Sequence, residues 1–446
     1  MTETALPPGP PLPPGIQAGL LMKFWPRFVS ACHRRYGDVF TLRVASMGTL
    51  VYLARPDDIK TVFGGDPAVY HAGEANSMLA GLLGSSSVLV VDDEEHRDRR
   101  RLMLAPFRRE AVARQTGLIA RIAADNIAGW PVGRPFAVAP KMSEITLEVI
   151  LRTVIGATDE HRLTQLRAIM PKLLSIGVWE YLAINTPGLQ RLAPWRPFRD
   201  RLREADRLLY AEIAERRADP DLNARTDALA MMIRTGDMTD SQLRDQLMTL
   251  LVAGHDTTAT SLSWALERLT RHPAVLAKAV HAARTGADEY LDAVCKEVLR
   301  IRPVVFDIGR ILTEPTDVAG YRLPAGVMVA PGIGLVHRGA GQYPDPDRFD
   351  PDRMLGAALG PTTWLPFGGG NRRCLGANFA LVEMAVVLGE VLRRVDLHTS
   401  TARAERPRVK GVILIPHRGA RIRARAVDTL ADAACPAHRA PTFEPN

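Results

Sequence analysis

The chain predicts a mainly α fold with a small β-rich part, on three observations. Apolar residues recur at helical spacing over most of residues 112–300. Two stretches leave that period for extended runs: 38–55, "DVFTLRVASMGTLVYLAR", and 302–336, rich in Val and Ile with Gly-punctuated turns. Between the second of these and a last helical stretch at 375–394 lies a Pro-, Gly- and Asp-rich irregular segment, 340–372. An irregular segment of that length in a compact domain usually carries function.

The elements follow in order. Residues 1–15, "MTETALPPGPPLPPG", read as a stiff polyproline-like lead. Residues 38–55 form strands turning near Gly48, and 56–70 a short helix. Residues 71–93, with Gly and Ser and weak periodicity, read as a long loop. A charged helix runs from Asp93 to Arg114, and helices continue to about 300 with breaks at 185–197 and 217–227. The 302–336 strands, the irregular segment, the 375–394 helix, a hairpin over 408–425 and a loose tail from 426 to 446 complete the chain. There is no internal repeat.

Composition narrows the classes. The 446 residues carry 57 basic and 49 acidic side chains, a net charge of +8. With no zinc-finger spacing and no basic ribbon interleaved with aromatics, this argues for no nucleic acid partner and leaves an acidic protein partner open. Four sparse, unpatterned cysteines imply no disulfide framework and fit a cytoplasmic setting. The N-terminus lacks the plan of a signal peptide, and the uncharged stretch 15–22 is too short to span a bilayer, so no membrane anchor is expected. P-loop, dinucleotide-binding, serine-hydrolase and zinc-peptidase motifs are missing.

Four segments carry chemistry. "FGGGNRRCLG", 367–376, sets three glycines and two arginines before Cys374, with a helix starting just after it. Glycines let backbone N–H groups turn toward an anion, and cations favour a thiolate, which suits a metal ligand. A buried structural cysteine is the ordinary alternative. "KEVLR" places Glu297 and Arg300 at i and i+3 on one helix face, in isolation a common surface pair. "AGHDTT" puts Gly254, Asp256 and Thr257 inside an apolar helix beginning near Leu247, where a carboxylate needs a reason. "EEHRDRRR" puts His96 and Arg100 at i and i+4.

In this order the four segments resemble the cytochrome P-450 family. The signature is Phe367, Gly370, Arg372, Cys374 and Gly376 in the form F-x-x-G-x-R-x-C-x-G, and the resemblance runs from the proline-rich lead to about residue 425. It implies one P-450 domain over 16–425 and heme b (iron protoporphyrin IX), with Cys374 as iron ligand, Phe367 covering the sulfur and Gly376 giving clearance. His96, Arg100, Arg310 and Arg372 match the propionate-binding positions. Glu297 and Arg300 become a structural pair whose third member is Arg353 of "DPDRM", with Arg348 second in rank. Gly254 would loosen the helix, and Asp256 and Thr257 match the acid–alcohol pair that delivers protons during dioxygen activation.

The resemblance further implies a heme-thiolate monooxygenase acting on a small lipophilic substrate with O2. Only 72 residues follow Cys374, too few for a redox domain, so a separate ferredoxin and ferredoxin reductase would supply electrons. Arg97, Arg99 and Arg101 are candidates for the ferredoxin-docking face. The pocket would draw on 76–83, parts of 170–195, Leu250, Ala253, Val304, Phe306, Asp307, Ile308 and Ile413. Asp307 would meet a polar substrate group or pair with an arginine. Cys32, Cys295 and Cys435 read as structural, and His255 and His337 as ordinary helix or loop residues. Two other readings stand beside this one: a thiolate-heme isomerase, dehydratase or peroxygenase, and a non-catalytic heme or lipophile-binding protein.

Overall fold

A 32-residue helix, Asp240–Arg271, forms the axis of the structure, a computed structural model that describes residues 6–45, 47–173 and 195–426. At 1.5 Å per residue it is about 48 Å long. It starts earlier than the apolar run suggested, because a capping box sets its end. Thr239 Oγ1 accepts from Gln242 N at 3.3 Å and Gln242 Oε1 accepts from Thr239 N at 2.9 Å. Residues 243–249 and 258–270 are buried on every side, as expected of a helix at the centre of a core. The helix Ala139–Val149 packs along it and runs into a π-helical turn, Ile150–Ile155, that stops at Gly156 with φ of +71°. The helices Asp288–Ile301 and Ala377–Arg394 pack on each other and on the axis.

A five-stranded sheet lies to one side. Its strands run Val39–Val44, Gly48–Leu53, Met328–Pro331, Arg310–Leu312, Tyr70–His71 in spatial order. The first two form the expected hairpin, with Phe40 opposite Tyr52 and their rings stacked at 5.1 Å. Gly48–Leu53 then pairs in parallel with Met328–Pro331. Parallel neighbours need a long crossover, and here the whole helical body is that crossover. The helix predicted over 56–70 forms as Pro56–Gly64.

Three expectations change. Residues 71–93 include two short helices, Ala72–Ala75 and Ala80–Leu83. The first exists because the Asp92 carboxylate accepts from the N–H groups of Ala72, Gly73 and Glu74 at 2.8–3.0 Å. That cap lies about a score of residues downstream, outside any local pattern. The 408–425 hairpin is in fact Pro407–Lys410 with Ile413–Pro416, while Arg421–Ala426 pairs with Val395–Thr399 and Pro135–Ala137. Strand period is the same for either partner, so sequence alone does not choose. The lead is shorter than drawn, with the first helix beginning at Pro14. Cys435, residues 427–446 and most of 170–195 lie outside the described residues.

Candidate heme-thiolate site

The cysteine loop is shaped by close passage against Phe63. Gly368 and Gly370 have φ of +65° and +66°, in the region that favours glycine. A Cβ on Gly370 would sit 2.3 Å from the Phe63 carbonyl oxygen, and one on Gly369 would sit 2.3 Å from the Phe63 ring. The loop closes when Cys374 N donates to the Phe367 carbonyl at 2.9 Å, and the helix Ala377–Arg394 follows with Gly376 as its N-cap. No polypeptide atom lies closer than 3.9 Å to a Cβ built on Gly376. Cys374 keeps accessible surface, yet burial pushes its thiol up, against the Gly376 N–H, Arg100 and Arg373. Accessible surface on a desolvated group marks a recess, not an open face. The expected thiolate stabilisation by glycines and arginines is therefore outweighed by desolvation in the polypeptide alone. Of the two loop arginines, Arg373 joins Arg100 in favouring the charged sulfur.

Arg372 is engaged elsewhere. Its Nη1 and Nη2 donate to the carbonyls of Val88 (3.2 Å) and Val91 (2.7 Å), and Nη2 pairs with Asp92. That differs from a propionate ligand with free donors: Arg372 clips the cysteine loop to the segment that opens the His96 helix. Arg310 is buried, and among the described residues its side chain makes one hydrogen bond, to its neighbour's carbonyl, Gly309 O at 2.8 Å. Burial, then Arg372, pulls it down to about 10. Arg100, lowered by burial, makes no hydrogen bond or ion pair among the described residues. His96 is 2% exposed, its ring makes no hydrogen bond among the described residues, and it is pulled down to about 4 by burial and by Arg372 and Arg100. It is thus a neutral donor at pH 7, not the cation expected. Three guanidiniums and a histidine share this region with two carboxylates, Asp92, paired with Arg372, and the exposed Asp93. Uncompensated buried charge is costly, so the cluster fits a dianionic group such as the two propionates of a heme.

Glu297 and Arg300 are both fully buried, joined by two bonds of 2.7 and 2.8 Å. Arg300 also donates to the carbonyls of His337, Pro346 and Arg348, and Glu297 Oε1 accepts from Asp350 N at 3.0 Å. Arg353 Nε stands 3.3 Å from Glu297 without hydrogen-bond geometry, so this is a charge contact. Arg348 points outward, and its side chain meets only Asp350 at 3.8 Å. Two residues that sequence reasoning missed connect this network to the cysteine loop. His337 Nδ1 donates to Arg300 O (3.2 Å), while its Nε2 accepts from Leu365 N (2.8 Å). Burial and Arg300 hold His337 at about 3, so it is the neutral tautomer that bridges. Trp364 Nε1 donates to Lys296 O, and its ring meets Phe367 edge-on at 5.8 Å.

On the axial helix, successive residues point three ways. His255 is buried against Ser143 at 3.0 Å. Asp256 pairs with Lys410 of the Pro407–Lys410 strand at 2.7 Å. Thr257 Oγ1 donates to Ala253 O at 2.6 Å. No local signal marks Lys410 as the partner. Leu250, Ala253, Gly254 and Thr257, at i, i+3, i+4 and i+7, form an accessible stripe on an otherwise buried helix. The helix passes Gly254 unbroken, so that glycine does not loosen it. A Cβ there would meet Ile150 Cδ1 at 2.7 Å, and the glycine admits the π-helical turn. None of the bonds of Asp256 or Thr257 reaches the cysteine loop.

The pocket expectations divide. Ile308 and Val305 retain accessible surface, whereas Val304 and Ile413 are buried. Phe306 turns away into the core, filling space that Gly334 leaves and tilting on Trp25 at 6.3 Å. Asp307 pairs with no arginine. Its Oδ2 accepts from Trp25 Nε1 (2.8 Å) and Tyr52 OH (2.7 Å), and burial pushes it up to about 6. The proposed arginine face also breaks up. Arg97 and Arg101 are exposed, but Arg99 sits on the other side of the helix beside Glu95, and Arg101 lies 3.6 Å from Asp98. Two clefts of about 480 and 380 Å³ on the outer helices contain none of these residues.

The α-rich body around one long helix, with the cysteine loop ahead of the Ala377–Arg394 helix, is the arrangement that the resemblance to the cytochrome P-450 family implied. The family model described as Cytochrome P450 matches residues 7–423, and the chain belongs to the cytochrome P450 family. It is 66% identical to cytochrome P450 135B1 of Mycobacterium tuberculosis over 98% of this chain and 97% of that one. It is 41% identical to cytochrome P450 135A1 of the same organism, over 94% and 95%. Among solved structures, retinoic acid-bound cyanobacterial CYP120A1 superposes with a TM-score of 0.83 at 22% identity, over 95% of this chain and 100% of that one. No helix of the described residues is long and apolar enough to cross a membrane.

Proposed function

We propose that Cys374 binds heme b and that the protein oxygenates a small lipophilic substrate with O2, using electrons from a separate ferredoxin and its reductase. The observation that carries this reading is two guanidiniums with no ion pair among the described residues, Arg100 beside Cys374 and the buried Arg310 beside Arg372. When bound, the heme supplies the oxidising chemistry at its iron. Metal binding would overcome the desolvation that keeps Cys374 protonated, and the Gly376 N–H, Arg100 and Arg373 favour the sulfur's charge. Arg100 and Arg310 suit carboxylates through their forked donors, and His96 adds a neutral N–H. Phe367, Gly370 and Gly376 shape the loop, and Arg372 holds it through Asp92. Glu297, Arg300 and Arg353 brace it through His337 and Trp364.

Asp256 and Thr257 divide the proton work. Thr257 spends its hydroxyl hydrogen bond on Ala253 O, which leaves the lone pairs of its oxygen free to accept from a water on the accessible stripe. Asp256, anchored by Lys410, lies to the side as the relay toward solvent. Leu250, Ala253, Val305 and Ile308 offer apolar accessible surface for the substrate. Arg97 and Arg101 remain as candidates for an acidic ferredoxin surface. The test is heme loading of Cys374→His. It should retain heme but lose the red-shifted Soret band of the reduced carbonyl complex, and a retained band would refute Cys374 as the ligand. Product formed with reduced ferredoxin and O2, but not by peroxide or heme alone, separates this reading from peroxygenase, isomerase and carrier.

A further inference from the structure

The N-terminal helix, Pro14–Tyr36, presents an apolar surface with no partner among the described residues. Five of the ten large apolar side chains exposed among the described residues are Leu12, Ile16, Met22, Phe24 and Met47. They belong together. Ala45 N donates to Pro14 O at 3.2 Å, which brings the turn holding Met47 beside the start of the helix. Over residues 12–22 the one polar side chain, Gln17, is buried and spent on the carbonyls of Pro10 and Leu12 and on the Arg43 N–H. The exposed surface of that stretch therefore carries no polar side-chain atom. A break at Phe24 (φ −133°), two residues before Pro26, sets this first segment apart from the rest of the helix.

Charge identifies the occupant. The helix contains no acidic residue. Lys23, Arg27 and Arg34 are exposed and form no ion pair among the described residues, and Arg35 meets only the Tyr36 ring. Lys23 Nζ lies 5.5 Å from the centre of the Phe24 ring, so cation and apolar surface share one edge. Apolar side chains bordered by unpaired cations match the boundary between acyl chains and anionic headgroups. We infer that this surface docks the protein peripherally on an anionic lipid bilayer. The inner side of the same helix holds the segment that carries Val305 and Ile308, through Trp25 to their chain neighbours Asp307 and Phe306. A lipophilic substrate dissolved in the bilayer would then meet the protein beside its pocket. That link to delivery rests on the proposed oxygenation, whereas the docking does not.

The test is co-sedimentation of the heme-loaded full chain with vesicles of equal parts phosphatidylcholine and phosphatidylglycerol, and with phosphatidylcholine alone, at low and high salt. The protein should pellet with the anionic vesicles at low salt and at least about tenfold less with neutral ones or at high salt. The variant Ile16→Ser/Met22→Ser/Phe24→Ser, or Ile16→Ser and Met22→Ser separately should the triple variant fold poorly, should lower binding, about tenfold for the triple. Lys23→Glu/Arg27→Glu should lower it at low salt, with the carbonyl spectrum unchanged. No pelleting with anionic vesicles, or undiminished binding by the apolar variants, would overturn the inference. So would a dimer that the apolar variants convert to monomer in sedimentation velocity, which would assign the surface to a second copy of the chain.

Discussion

Glu297→Ala should remove most of the stability of the folded chain. The carboxylate accepts two bonds from Arg300 and one from Asp350 N, and faces Arg353. Without it, Arg300 keeps its bonds to the carbonyls of His337, Pro346 and Arg348, but its charge is fully buried and unpaired. Breaking a buried pair from one side costs about 3–5 kcal/mol. The orphaned Asp350 N–H adds about 1–3 kcal/mol. Against a total stability of about 5–15 kcal/mol, the variant should be largely unfolded or heme-free at expression temperature. Arg353→Met, which loses the charge contact to Glu297 and the bonds from Nη1 to Pro344 O (2.8 Å) and Nη2 to Asp345 O (3.5 Å) on a partly exposed side chain, should cost less, about 1–2 kcal/mol. The assay is urea unfolding of both variants, read with the yield of carbonyl-binding protein. A Glu297→Ala loss below about 1 kcal/mol, or an Arg353→Met loss larger than it, would refute the reasoning.

Thr257→Ala should keep NADH consumption, lower product and raise hydrogen peroxide, measured as stoichiometry with any substrate that shifts the Soret band; full coupling would count against the Thr257 route. Asp256→Asn should slow turnover by roughly tenfold or more, and Lys410→Met should slow it less because the carboxylate remains, both at unchanged heme content; equal or inverted effects would reject the anchoring role of Lys410. Acid should weaken the fold. His255 and His337 are held at about 4 and about 3 by burial, so below an unfolded value of about 6.5 only the unfolded chain takes their protons, and stability falls by up to about 1.4 kcal/mol per pH unit for each. Asp307, pushed up to about 6, opposes this by losing stability as pH rises from about 4 through 6. His96, also held at about 4, adds a loss of the same sign, so the histidines outweigh Asp307 and stability should fall between about pH 6 and 4, and His337→Gln should flatten a urea-midpoint series over that range; an unchanged slope would refute the bridging tautomer.

Where the sequence was sufficient, the chemistry was local. The 38–55 hairpin was legible because turn and strand residues alternate within a few positions. Glu297 and Arg300 were legible because three residues along a helix bring two side chains onto one face. Asp256 and Thr257 stood out as polar residues in an apolar helix, and Cys374 as the end of a glycine-rich loop. Partners across the fold were not legible, because a side chain's environment depends on where distant segments pass. Asp256 finds Lys410 154 residues away. Arg372 is claimed by Asp92 280 positions upstream. Asp307, read as facing substrate or an arginine, is held instead by Trp25 and Tyr52 across the sheet. His337, read in the sequence as an ordinary loop residue, bridges Arg300 to the cysteine loop because two backbones converge on its ring. The glycines before Cys374 were assigned to an anion nest, and their tightest constraint proved to be the Phe63 backbone and ring. Residue type and short spacing determined which groups carry the chemistry. Burial and long-range contacts decided their charge, their partners and which of them remain available to a ligand.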